Sequence, residues 1–150
     1  MPMTCHFDCA AQDLAVRDVM IRLRAALVER VPCRDARSSV EIAVAEGLNN
    51  IVEHALCDQP QARIHVKLMV EGGQIFVRLR DEGRAMPGWR LPKGKPTDLN
   101  VGLQDLPEGG FGWGMIHMLA DQLDYSRIDG VNRLKMWFHV DGSETPCARG

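Results

Sequence analysis

The strongest constraint on this chain's fold is a pair of alternating segments split by two glycines. Ile64, Val66, Leu68 and Val70 alternate with Arg63, His65 and Lys67. After Glu71-Gly72-Gly73 the pattern resumes, with Ile75, Val77 and Leu79 set against Phe76, Arg78 and Arg80. A period of two over this length predicts two strands, each with one buried face, and the glycines predict the hairpin turn between them. The parity of Ile75, Val77 and Leu79 runs on to Asp81, so the apolar face of the second strand ends in a carboxylate. A buried acid needs groups that donate hydrogen bonds to it.

Other segments change period. A short strand is expected near Met3–Asp8. From Gln12 to Val31, the residues Leu14, Val19, Leu23, Leu27 and Val31 recur at near-helical steps until Pro32 stops them. A second helix is expected from Asp35 to Leu56, with Val40, Val44, Leu48, Ile51 and Ala55 as its apolar stripe. Gly47 within it costs about 1 kcal/mol relative to alanine, which predicts close approach of another backbone or a ligand. Residues 82–109 show no period and hold Pro87, Pro92, Pro96 and Pro107. A loop of that length in a compact domain is functional or disordered. A third helix is expected from Trp113 to Leu123, with Ile116, Leu119 and Leu123 facing inward. A closing hairpin follows, Asp124–Ile128 and Arg133–Val140 around Asp129-Gly130. The tail from residue 142 is expected to fray. This order predicts an α+β, two-layer sandwich: a mostly antiparallel sheet with helices on one face. One domain over residues 1–150 accommodates it.

Composition narrows the class. The net charge is −2, and no basic block runs along the sequence, which argues against a nucleic-acid binder. No apolar stretch reaches the roughly 18 residues of a membrane span, and the first residues lack the order of a signal peptide. A cytoplasmic location is the expectation. The 5 cysteines are odd in number, which argues against a disulfide framework. Cys5 and Cys9 are spaced like half a metal site, with no second pair to complete it.

Three constellations carry chemistry. Glu46 and Asn50 lie one helical turn apart on the polar face of the second helix, with His54 a turn further. A carboxylate can accept a proton from an attacking hydroxyl, and an amide oxygen is a hard ligand suited to magnesium. Asn49 competes with Asn50 for that role on spacing alone. Read by itself, such a face is the ordinary solvent side of an amphipathic helix. Asp81-Glu82-Gly83 places an acceptor carboxylate at a strand end, where it can take a hydrogen bond from an adenine amino group. The run Gly109-Gly110-Phe111-Gly112-Trp113-Gly114 precedes the third helix, where bare backbone and a helix N-terminus favour phosphate. It is neither a Walker loop nor a dinucleotide fingerprint. Trp89 and Trp113 read as packing for a lid, and Lys93 and Lys95 as solvated lid charges within reach of phosphate.

In this order the three motifs resemble the ATPase superfamily shared by gyrase, the Hsp90 chaperone, sensor histidine kinases and mismatch-repair MutL. Glu46-x-x-x-Asn50-x-x-x-His54-Ala55 is similar to the N box, in the form found in anti-sigma factor serine/threonine kinases. Asp81-x-Gly83 resembles the first glycine box and Gly112-x-Gly114 the second. The resemblance implies the Bergerat fold with an ATP lid, and ATP bound with magnesium. It favours Asn50 over Asn49 as the magnesium ligand and makes Glu46 the general base. Asp81 becomes the reader of adenine, and Gly83, Gly112 and Gly114 line the nucleotide. Ala85 stands where a second glycine is usual. Asn132 stands where a supporting threonine is usual, and Gly47 where relatives often have alanine.

The implied activity is ATP-dependent phosphorylation of a serine on an anti-anti-sigma (STAS-type) partner by a protein that also sequesters a sigma factor, usually as a homodimer. Two alternatives stand beside it. One is a nucleotide-binding partner-switch module without phosphotransfer. The other is a detached histidine-kinase catalytic domain, although no helical hairpin carries a phosphoacceptor histidine and His6 precedes the first helix.

Overall fold

A computed structural model describes residues 2–85 and 110–140, the side chains of 110–112 excepted. The lid segment beyond residue 85, with Trp89, Lys93, Lys95 and Gly109, and the tail from residue 141 lie outside the described residues. The chain runs β1 (Met3–Ala10), α1 (Asp13–Arg30), α2 (Arg34–Asn50), a π-helical turn (Ile51–Ala55), β2 (Arg63–Glu71), β3 (Gln74–Asp81), α3 (Gly110–Leu119), β4 (Gln122–Ile128) and β5 (Val131–His139).

The strands form one sheet in the order β1-β2-β3-β5-β4. All four pairings are antiparallel. The expected hairpin is present: Glu71 pairs with Gln74, and Gly72 adopts φ 60, the left-handed backbone its turn demands. The second hairpin turns through Asp129 at φ 53 and Gly130 at φ 78, consistent with a type I′ turn. Alternation places Ile64, Val66 and Leu68 of β2, Ile75, Val77 and Leu79 of β3, and Leu134 and Met136 of β5 in one buried core. Val19, Leu23 and Leu27 of α1, Val40, Val44 and Leu48 of α2, and Ile116 of α3 meet them there. The described helices therefore share one face of the sheet.

Several boundaries differ from the sequence reading, each for a local reason. In α1 the buried stripe is Val16, Val19, Leu23 and Leu27. Leu14, expected on it, is 77% exposed, because the five-residue step to Val19 is off the helical period. Val31 is extended (φ −119, ψ 101), as a residue before proline must be, and is buried beyond the helix end. Leu123 belongs to β4, not to the third helix. That helix ends at Leu119, and the backbone N–H of Asp121 already donates to the Trp137 carbonyl at 2.8 Å. Cys33 caps α2, its sulfur accepting from the Ala36 N–H at 3.4 Å.

The neighbour of Gly47 is neither backbone nor ligand. A Cβ at that position would stand 2.7 Å from Cδ1 of Leu79. The glycine lets α2 sit closely on β3.

Candidate nucleotide site

The site is built where the end of α2 meets the end of β3. Glu46 is half-buried on α2. One turn on, the Asn50 side-chain amide donates to the backbone carbonyl of Glu46 at 3.0 Å. That bond orients the carboxamide and leaves its oxygen as the end available to a cation. Asn49 is exposed, on another face of the helix. Among the described residues, no three His, Cys, Asp or Glu side chains cluster to enclose a metal. A lone amide oxygen near one carboxylate suits magnesium, which keeps several waters and phosphate oxygens in its shell.

After Asn50 the helix widens. The Leu56 N–H donates to the Ile51 carbonyl at 2.8 Å, a five-residue π closure. The helix ends there, because Leu56 leaves helical backbone space (φ −116, ψ 29). The Ala55 carbonyl is thereby given a partner across the fold, the Arg84 N–H at 2.9 Å. Gly83 lies directly against the same carbonyl: a Cβ on Gly83 would stand 2.2 Å from the Ala55 oxygen. This is the physical need for glycine in Asp81-x-Gly83, and it ties that segment to the end of the Glu46–Ala55 helix.

Asp81, 3% exposed, is the buried acid its strand parity predicts. Its Oδ1 accepts from the Gly83 N–H at 2.8 Å and from the Asn132 side-chain amide at 2.9 Å. Burial pushes its pKa above the ordinary 3.8, and the bonds from Asn132 and Gly83 oppose the rise. Asn132 faces Asp81 directly across the β3–β5 pairing. Its amide nitrogen also donates to the Arg84 carbonyl at 2.9 Å. Its oxygen accepts from the Tyr125 hydroxyl at 2.6 Å and from Arg127 at 2.8 Å. Arg127 donates in turn to the Gly83 carbonyl at 2.8 Å.

The structure thus brings Asp81, Gly83 and Asn132 into one network and docks it on the helix that carries Glu46 and Asn50. His54 is exposed on the π turn and takes no part in that network. The glycine run differs from expectation: Gly110 to Gly114 lie inside α3 rather than before it. Burial of Trp113 and Ile116 against the core holds this glycine-rich turn helical despite its propensity. Tyr125 and Arg127 are members of this network that the sequence reading missed. The available signal was parity, since Leu123, Tyr125 and Arg127 share one strand face and Arg127 pairs with Asn132.

The model of the histidine kinase-like ATPase domain matches residues 9–138. The chain belongs to this family. Among curated relatives, the serine-protein kinase RsbW of Halalkalibacterium halodurans is 31% identical over 97 residues, covering 65% of this chain and 59% of the relative. The serine/threonine-protein kinase BtrW of Bordetella bronchiseptica is 28% identical over 117 residues, covering 75% and 80%. The anti-sigma F factor of Anoxybacillus flavithermus is 18% identical and aligns over 97% of both chains. The first match spans only part of that kinase.

Solved structures share the histidine kinase-like fold. The SiaB–SiaC complex of Pseudomonas aeruginosa matches at TM-score 0.66 and 14% identity, over 91% of this chain and 89% of that one. A Mycobacterium tuberculosis protein solved with its RsbU and RsbW domains matches at TM-score 0.65 and 19% identity, over 91% of this chain and 32% of that one. The five-stranded antiparallel sheet with helices on one face is the architecture they have in common with it. Among the described residues no helix is long and apolar enough to cross a membrane.

Proposed function

We propose that this ATPase-family chain is an anti-sigma-type serine/threonine kinase: it binds ATP with magnesium and passes the γ-phosphoryl group to a serine of an anti-anti-sigma partner. Free of that partner, it sequesters a sigma factor. The observation that carries the reading is the lock between Gly83 and the Ala55 carbonyl. It fixes the Asp81 carboxylate relative to the helix bearing Glu46 and Asn50. Serine-kinase names among the relatives support the same direction, and an anti-sigma name supports the sequestering role.

In this reading the Asp81 oxygen not engaged by Gly83 and Asn132 accepts the adenine amino hydrogen. Gly83, Gly112 and Gly114 let the nucleotide approach the backbone, and His54 borders the site at its outer edge. Asn50 would hold magnesium through its amide oxygen, and the ion would supply charge neutralisation on the phosphates. Glu46 takes the proton of the incoming serine hydroxyl as its oxygen bonds to the γ-phosphorus. The bond from phosphorus to the β–γ bridging oxygen breaks, and ADP leaves.

The deciding experiment incubates the chain with γ-labelled ATP, magnesium and an anti-anti-sigma protein of the same organism. Acid-stable label on the partner is expected. Nucleotide binding without label on the partner would reduce the protein to a binding module, and acid-labile label would make it a histidine-kinase catalytic domain. Sedimentation of the purified chain tests the homodimer.

A further inference from the structure

The face of the sheet turned away from the helices holds a charge pattern that the nucleotide site does not use. Along β2, β3 and β5 the outward residues stand in register. Lys67, Arg78 and Lys135 form one row. His65, Arg80 and Arg133 form the next on one side. Met69, Phe76 and Trp137 form the next on the other side. Two cationic rows thus lie beside one apolar row on the three central strands.

Like charges directly opposite on the three central strands repel; on the two edge strands Asp124 stands opposite Lys135 and Asp8 opposite His65. None of Lys67, Arg78, Arg80, Arg133 or Lys135 forms an ion pair among the described residues, whereas Arg63 on the same face is paired with Asp8 at 2.6 Å. The Nε atoms of Arg78 and Arg80 are buried with no hydrogen-bond partner. Burial and the neighbouring Arg133 and Arg80 hold the Arg78 pKa below its ordinary value. Buried donors without acceptors are costly.

We infer that this face docks an acidic segment of a partner protein, its carboxylates over the two cationic rows and an apolar side chain on Met69, Phe76 and Trp137. Charge complementarity selects that occupant, in a chain whose overall charge is −2. A second copy would oppose the same cationic rows to themselves. Single-stranded nucleic acid needs free aromatic faces to stack on. Here the Phe76 and Trp137 rings pack on each other, 5.2 Å between centroids and tilted by 51°. The surface is separate from the nucleotide site, so its test does not depend on phosphotransfer.

The test uses the full chain and a short fluorescein-labelled peptide with glutamates at one end and phenylalanine at the other, followed by fluorescence anisotropy. Saturable binding is expected, weakened by raised salt and by replacing the phenylalanine with serine. Lys67→Glu with Lys135→Glu is expected to weaken it by about tenfold or more, while Lys67→Arg with Lys135→Arg retains it and controls for folding. No binding, or binding indifferent to these reversals, overturns the inference. So does tighter binding of oligothymidylate or phosphatidylserine vesicles, each competing for the same residues. Self-association of the chain abolished by Lys135→Glu would overturn it in favour of a second copy.

Discussion

Asn132 donates its side-chain amide to the buried carboxylate of Asp81 at 2.9 Å, from the position directly opposite on the neighbouring strand. The same carboxamide accepts from Tyr125 and Arg127 on its other side. One residue therefore holds the acid, the loop carbonyl of Arg84 and the edge strand β4 together.

Asn132→Ala removes both halves of that junction at once. Leaving buried donors and acceptors unmet costs roughly 1–3 kcal/mol, and a lower melting temperature is the expected result. Asn132→Thr keeps a hydroxyl that can reach Asp81 and is expected to lose less. Differential scanning calorimetry of the two variants checks the order. Equal stability of wild type and Asn132→Ala would show that the network contributes nothing.

Asp81→Asn separates stability from recognition. In the folded chain Asp81 keeps its proton to higher pH than the ordinary 3.8. A raised folded pKa contributes stability that is present below 3.8 and lost as pH rises through the folded value. At neutral pH the ionised acid is therefore a burden that asparagine lifts, because its oxygen can still accept from Gly83 and Asn132. The expected outcome is an unchanged or higher melting temperature at pH 7 together with loss of adenine-nucleotide binding, since an amide NH2 then faces the adenine amino group. Retained ATP affinity by calorimetric titration would remove Asp81 from base recognition.

Gly83→Ala and Gly114→Ala are expected to act in opposite directions on stability. The first forces a methyl against the Ala55 carbonyl, backbone that cannot swing aside, and a loss of about 1–3 kcal/mol or more follows. At Gly114, inside α3, an added methyl meets no atom of the described residues within 4 Å beyond the helix's own backbone. Alanine is expected to raise stability there by about 0.5–1 kcal/mol. If Gly114 also lines the nucleotide, ATP affinity falls while stability rises. Urea denaturation paired with nucleotide titration measures both.

Glu46→Ala is expected to lower phosphotransfer by about 10²–10⁴-fold, the usual contribution of a general base, with ATP binding largely intact. Asn50→Ala is expected to weaken magnesium-dependent nucleotide binding itself. Transfer that survives Glu46→Ala would assign the base elsewhere.

The sequence alone determined whatever depends on neighbours along the chain. Alternation through Ile75, Val77 and Leu79 was enough to place Asp81 on the buried face, since successive strand residues point to opposite sides. Helical period set Glu46 and Asn50 on one side of α2, and the order of the three motifs pointed to the ATPase family. Tertiary structure decided what depends on pairing across the fold. Only the β3–β5 register puts Asn132 opposite Asp81, with the whole segment between β3 and α3 intervening in sequence. Only the π turn at Ile51–Ala55 presents the Ala55 carbonyl to Gly83 and Arg84, because it ends the helix one residue out of α register. The cationic face was only half legible for the same reason, since Arg133 and Lys135 join Arg80 and Arg78 only through the β3–β5 pairing. Its charges are spaced by apolar residues along three separate strands, so no basic block exists in the sequence until the sheet gathers them side by side.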